Sequence, residues 1–285
     1  MDPIDRESCL TFWEYSTQRL PSGMNIRALS NTLLLSIFCL VSQIEAASTP
    51  IPSFCLDYET GTLTSDVTGV EAITPSAVDA ISIDCTIARS GQCSLRSTVS
   101  NTPDYISFGA HRAESNTQAL SATHYSSGDA IRYAFSLYLP SDWEIDSRDS
   151  IDIIWQFKRF GTYPDMFIAI KGKDIVLRVT GGKQETLVKN YSTGQWIDFR
   201  VDALWSYESG GQVMVAIRQP PEEEFRETIR IHGANMGDLR PRSAYLKWGI
   251  YKPGYEHSTT TRPRIVFHDK ICVESLNVME LDSLP

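Results

Sequence analysis

The segment Tyr245-Leu-Lys-Trp-Gly-Ile-Tyr251-Lys252 places two phenols and an ammonium group at alternate positions. Alternate side chains of a strand share a face. Tyr245, Lys247, Gly249 and Tyr251 therefore lie on one side, and Leu246, Trp248 and Ile250 on the other. The second side is core. The first is a polar, aromatic surface carrying a cation, and Gly249 leaves room for something to approach the backbone, a division that suits a sugar-binding groove. Residues 151–158 split the same way, with Ile153, Trp155 and Phe157 on one face and Asp152, Ile154, Gln156 and Lys158 on the other. In His111-Arg-Ala-Glu114, Arg112 and Glu114 share a face and can pair. Taken singly, each segment reads as the ordinary solvated outside of a sheet. Their combination says more.

The elements that must position these faces are short. Period-two alternation recurs at 131–139, 151–157, 166–170, 175–179, 196–201, 213–217, 245–251 and 264–267, between clusters of Gly, Pro, Asp and Ser. Turn residues at 171–174 and 208–211 separate neighbouring strands, and no sustained helical periodicity follows residue 48. This pattern predicts an all-β protein, an antiparallel β-sandwich or jelly roll, with residues 48–285 forming a single domain.

Upstream, the apolar run 33–41 follows Arg27 and precedes Ala46-Ala47. A positive start, a short apolar run and small residues at its end describe a signal peptide over 24–46, opening at Met24. Residues 1–23 are then an over-extension or an alternative start. The run is too short to span a membrane comfortably; a buried core helix is the competing reading. Cleavage would leave Cys55, Cys85, Cys93 and Cys272 in an oxidising, extracellular compartment, enough for two disulfides. Cys85 and Cys93 bracket a turn at 89–92, which favours a local bridge and leaves Cys55 to join Cys272; buried free thiols are the alternative. Asn190-Tyr-Ser192 is a glycosylation sequon.

The net charge of −9 comes with no basic stripe, which argues against nucleic acid as a partner. An acidic protein that binds an acidic polymer must concentrate its cations locally, so the position of each Arg and Lys matters more than their total. A nucleophile elbow and zinc-spaced His/Cys are absent from the sequence. No cofactor is required by any motif; calcium among loop carboxylates has no EF-hand loop to support it. Trp143-Glu-Ile-Asp146 carries clustered carboxylates of the kind a glycoside hydrolase needs, although a solvated acidic loop explains it better.

Arg112-Ala-Glu114, Trp155-Gln-Phe-Lys158 and Tyr245 to Lys252 occur in the order of three signature strands of jelly-roll polysaccharide lyases. The chain resembles the heparin lyase I-like and glucuronan lyase group, and more distantly the alginate lyases. Residues 194–199, 204–206 and 211–213 look like the strand–turn–strand region of the same group, and 265–271 like its closing strand, so the resemblance covers most of 54–275. It implies a concanavalin-like sandwich with a concave substrate groove, and β-elimination on a uronic-acid polymer. In that reaction the carboxylate is neutralised, a base takes the α proton, and an acid protonates the departing glycosidic oxygen. Carried over by resemblance, Gln156 donates to the substrate carboxylate, Tyr251 is the acid and a candidate base, and Arg112 and Lys247 supply positive potential. Tyr245, Glu114 and Lys252 join Lys247 as substrate-binding candidates.

One departure stands out. Where these families usually carry His after Trp-Gln-Phe, this chain has Lys158. Three readings follow, in order: Tyr251 acts as base and acid with Lys158 neutralising; His111, His124 or His257 replaces the missing histidine; or the groove only binds. The leading expectation is a secreted, monomeric lyase on a uronate polysaccharide, free of the membrane once the leader is cleaved. A non-catalytic carbohydrate-binding protein on the same fold is the alternative, and a glycoside hydrolase using Glu144 comes third.

Overall fold

Alternating apolar residues become strands that each turn one side inward. In the computed structural model, which describes residues 53–73, 75–148, 150–237 and 244–277, the chain first forms β1 (Phe54–Leu56), β2 (Glu71–Ile73), β3 (Ile81–Asp84), β4 (Ser94–Val99), β5 (Ile106–Ser107), β6 (Ala110–Asn116), β7 (Ala130–Tyr138) and β8 (Ile151–Arg159). It continues through β9 (Met166–Lys171), β10 (Asp174–Val179), β11 (Gln184–Val188), β12 (Trp196–Leu204), β13 (Gln212–Arg218), β14 (Arg226–His232), β15 (Ala244–Lys252) and β16 (Arg264–Ser275). Short 3-10 turns are the only helical pieces among the described residues. The expected leader, residues 24–46, and the segment 1–23 lie outside the described residues.

Two antiparallel sheets face each other, as the alternation predicts for a sandwich. The groove sheet runs β11-β10-β9-β8-β15-β6-β2, with β5 paired to β6; the back sheet runs β14-β13-β12-β7-β16-β4-β3, with β1 paired to β16. Aromatic side chains bridge them. Phe135 of the back sheet stacks on Trp155 of the groove sheet at 4.2 Å between ring centroids and on its own neighbour Phe199 at 4.8 Å. Trp248 lies beside Trp155 and donates its indole N–H to the Tyr58 hydroxyl at 2.9 Å. Burying each such ring contributes roughly 1.5–3 kcal/mol. The two disulfides lie outside this core: Cys55–Cys272 joins β1 to β16, and Cys85–Cys93 closes the loop between β3 and β4.

Simple alternation fails at two bulges. One interrupts the β8–β9 pairing between Ile153 and Trp155, so Ile154 and Trp155 both turn into the core while Ile153 moves to the groove side with Ala169 and Val176. Asp152 correspondingly sits on the core side, where Arg264 binds it through two hydrogen bonds of 3.2 and 2.7 Å. The expected grouping of Ile153 with Trp155, and of Asp152 with Gln156, is thus corrected by one inserted residue.

The second bulge lies in β15, between Trp248 and Tyr251, and contains Gly249 at φ +125°. A Cβ there would stand 2.2 Å from the Ala113 carbonyl oxygen and 2.9 Å from the Glu114 Cα. What approaches this backbone is the neighbouring strand β6, not a ligand. Gly249→Ala should therefore destabilise the protein by about 3 kcal/mol, from backbone strain plus a collision with backbone that cannot yield. Chemical denaturation would measure it, and an unchanged midpoint would show that β6 can shift.

Candidate active site

Register across the groove sheet decides which side chains meet. On β15, Lys247 lies opposite Gln156 of β8 and Asn116 of β6; Tyr245 lies opposite Lys158; Gly249 pairs with Glu114, and Tyr251 with Arg112. Arg112, Glu114, Gln156, Lys158, Tyr245, Lys247 and Tyr251 consequently share the face of the sheet turned away from the core.

Glu114 is the electrostatic centre of this set. Its buried carboxylate accepts hydrogen bonds from the Gln156 side-chain amide and the Lys247 ammonium, and Arg112 Nη1 stands 3.6 Å away. A buried carboxylate is tolerable only when paired and hydrogen-bonded, and this pairing holds the amide and both cations close together. Glu114, expected as a substrate contact, is thus engaged with its neighbours. The Arg112 guanidinium also lies 4.3 Å from the Tyr251 ring centroid, a cation–π contact that limits the ring's motion.

Two neighbours have displaced titrations. Burial, and then the proximity of Lys247 and Arg112, push the Lys158 ammonium below the usual lysine range. Burial, reinforced by Glu114, pushes the Tyr245 phenol up to about 12. Tyr245 therefore remains a neutral hydrogen-bond donor at any ordinary pH.

Lys252 is not part of the groove. One position beyond Tyr251, it points to the opposite face and is fully buried, with Nζ 2.9 Å from Asp146 and 3.5 Å from Asp152. The expectation that it meets substrate is corrected by the strand's own alternation. Arg159 likewise turns inward and pairs with Asp165 at 2.7 Å. Nor do the three histidines gather around Tyr251. His111 packs edge-on against Tyr255 at 5.2 Å, the His124 ring nitrogen lies 3.1 Å from the Gln118 carbonyl, and the exposed His257 lies 3.6 Å from Glu256.

The acidic loop 143–146 is structural. Glu144 accepts both backbone N–H groups of Thr261 and Arg262, at 2.6 and 3.1 Å. Asp146 accepts Ser150 at 2.6 Å and Ser258 at 2.7 Å besides Lys252. Neither carboxylate is left available as a hydrolytic acid. Asn190 is exposed on the turn after β11.

The floor of the groove has no signature in any single strand. Ile153, Ala169 and Val176, with Ile151, Phe167 and Tyr251 packed around them, form an apolar strip on the groove face. Beyond it, Arg178 lies 5.4 Å from the Phe167 ring centroid. Alternation puts Phe167, Ala169 and Lys171 on one side of β9, but only register shows that this side continues the Gln156 face. A cleft of about 740 Å³ opens at this end, between the loops around Tyr163 and Gly181, with Phe167 and Arg178 in its wall.

A family model described as polysaccharide lyase matches residues 58–272. No curated protein matches the chain. Among solved structures, the endo-β-1,4-glucuronan lyase from the fungus Trichoderma reesei is similar, with a TM-score of 0.61 and 17% identity over 78% of this chain and 95% of that one. The marine PL-14 alginate lyase from Aplysia kurodai has a TM-score of 0.52 and 11% identity, covering 80% of this chain and 100% of that one. The catalytic domain of the glycoside hydrolase family 131 protein from Coprinopsis cinerea is also similar, with a TM-score of 0.55 and 12% identity over 78% and 93%. At these identities the likeness is one of fold, which hosts more than one chemistry.

Proposed function

The chain belongs to the polysaccharide lyase family, and from that premise we propose that it is a secreted lyase cleaving a uronic-acid polysaccharide, of glucuronan or related type, by β-elimination. The observation that carries this reading is the gathering of Arg112, Gln156, Lys158, Lys247 and Tyr251 on one face of one sheet, around the Glu114 carboxylate. Secretion is supported by the two disulfides, which persist in oxidising compartments. The exposed Asn190 would be a glycosylation site on that route.

The uronate carboxylate would sit against Gln156, Lys247 and Lys158, whose positive potential stabilises the charge that builds there when the α proton leaves. Tyr251, acting as the phenolate, takes that proton from C5 and becomes the phenol. The C5–H electron pair becomes the C4=C5 double bond, the C4–O4 bond breaks, and O4 leaves with its electron pair and receives a proton from the Tyr251 hydroxyl. One phenol can serve both ends only where the C5 proton and O4 lie on the same side of the ring. Glu114 acts as a positioning residue, turning the Gln156 amide and holding Lys247.

The reaction is followed by the ultraviolet absorbance of the unsaturated product on a panel of uronate polymers. A polymer that binds saturably without product would make the protein a carbohydrate-binding member of the family. Lys158 supplies a second test. Because its folded-state ionisation is depressed, its positive charge is lost at lower pH than that of a free lysine. If it neutralises substrate, the alkaline limb of kcat/KM should fall early in the wild type and move up in Lys158→Arg, since guanidinium stays charged. Identical alkaline limbs would remove Lys158 from the mechanism.

A further inference from the structure

The hairpin that leads into β6 carries a residue its backbone does not favour. β5 and β6 pair Ser107 with Ala110, so Phe108 and Gly109 form a two-residue turn, and both have positive φ, +49° and +76°. That is a type I′ turn, whose first position suits Asn or Gly and strains a bulky side chain. Burial does not offset the strain, since Phe108 is 82% exposed. What its ring does meet is Arg112, whose guanidinium lies 6.0 Å from the ring centroid. The Arg112 Nε is buried with no hydrogen-bond partner among the described residues. Nη1 stands 3.6 Å from Glu114, and the Tyr251 ring centroid is 4.3 Å from the guanidinium. Two rings and one carboxylate charge thus set where the guanidinium lies.

We propose that Phe108 is a positioning residue, whose ring steadies the Arg112 guanidinium against the Tyr251 ring and so fixes the hydroxyl that exchanges a proton with substrate. The inference rests on Tyr251 being the acid–base group of the proposed reaction. Arg112 and Tyr251 are register partners, so the contacts run from the hairpin tip across β6 to β15. Each is a cation–π contact, which restrains a side chain without occupying its hydrogen-bonding groups. Placement matters because a shift of about 1 Å at a reacting group can cost roughly a hundredfold in rate. Backbone strain kept at an exposed position, where no packing requires it, is characteristic of functional sites.

The test is Phe108→Asn in the whole protein, because stability and rate should move in opposite directions. Asn tolerates the turn, so the melting temperature should rise by about 2–4 °C. On a uronate polymer that the wild type cleaves, kcat should fall roughly five- to tenfold with KM nearly unchanged. Phe108→Trp, which restores a ring, should recover the rate, and in an Arg112→Gln background Phe108→Asn should cost nothing further. A melting temperature that falls would make the ring a packing residue. Unchanged kcat, a KM that rises while kcat holds, or an additive loss in Arg112→Gln would leave the ring idle or put it against the polymer itself. Each of these overturns the positioning role. A readout without substrate separates this from failure of the lyase reading. With labelled tyrosine, and Tyr251→Phe to assign the signals, Phe108→Asn should shift the NMR resonances of the Tyr251 ring. Shifted resonances with no unsaturated product from any polymer would keep the contact and sink the lyase; unmoved resonances would sink the contact.

Discussion

Tyr251→Phe should lower kcat by roughly three orders of magnitude, the scale of losing a positioned acid–base group, while polymer affinity stays near that of the wild type. The substitution removes one oxygen and keeps the ring, so the contacts to Arg112 and the apolar strip survive. A fall in kcat with little change in KM would mean that the hydroxyl acts only in the transition state. The comparison with Tyr245→Phe sharpens the test. Tyr245 lies on the same face, but its phenol is pushed up to about 12 by burial and by Glu114, so it can donate a hydrogen bond and cannot serve as base. Its loss should raise KM more than it lowers kcat. If Tyr251→Phe retained most of the wild-type rate, the proton would have to go elsewhere, and Lys158, whose ammonium is held below the usual lysine range, is the alternative on the face.

Lys252→Met should cost about 3–5 kcal/mol of stability, because it leaves two buried carboxylates short of a partner. Lys252 is fully buried, with Asp146 at 2.9 Å and Asp152 at 3.5 Å. Arg264 remains on Asp152 at 2.7 Å, and the Ser150 and Ser258 hydroxyls remain on Asp146. Asp146→Asn in the same chain should recover part of the loss. Thermal unfolding would register the single variant as a drop of roughly 10 °C, and variant that stays folded should bind polymer normally. Unchanged melting with weakened binding would place Lys252 in the groove after all.

The same network sets an acid limit. Burial opposes ionisation of Asp146, but hydrogen bonds from Ser150, Lys252 and Ser258 outweigh it and hold the carboxyl well below the usual aspartate range. Its folded-state value lies below the unfolded one, so its stabilisation is present above about pH 4 and is lost as pH falls further. Without Lys252 that depression shrinks, and acid unfolding should begin at higher pH.

Much of this was legible one strand at a time. The face of β15 that carries Tyr245, Lys247 and Tyr251 follows from alternation, as does the pairing of Arg112 with Glu114. The resemblance of three ordered segments to polysaccharide lyases carried the family and the sandwich, and put Tyr251 forward as the proposed acid. The cysteine spacing favoured the two bridges the structure contains. Lys252 was misassigned although alternation placed it beside Trp248 and Ile250; its family motif, not its position on the strand, put it among the substrate contacts.

Other features depend on how strands meet. Alternation assigns sides only while the ladder is regular, and the bulges at Ile153/Trp155 and Trp248/Tyr251 exchange Ile153 with Ile154 and leave Gly249 against β6. Register between strands is not written in either strand alone. Nothing local shows that Phe167 and Arg178 extend the row of Gln156 and Lys247, or that Glu114 meets Gln156 from a strand two places away. Residue types and their two-residue period determined that a polar, cationic, aromatic face exists. Pairing between strands distant in the chain decided which charges share it, because that choice is made by packing of the whole sheet against the core.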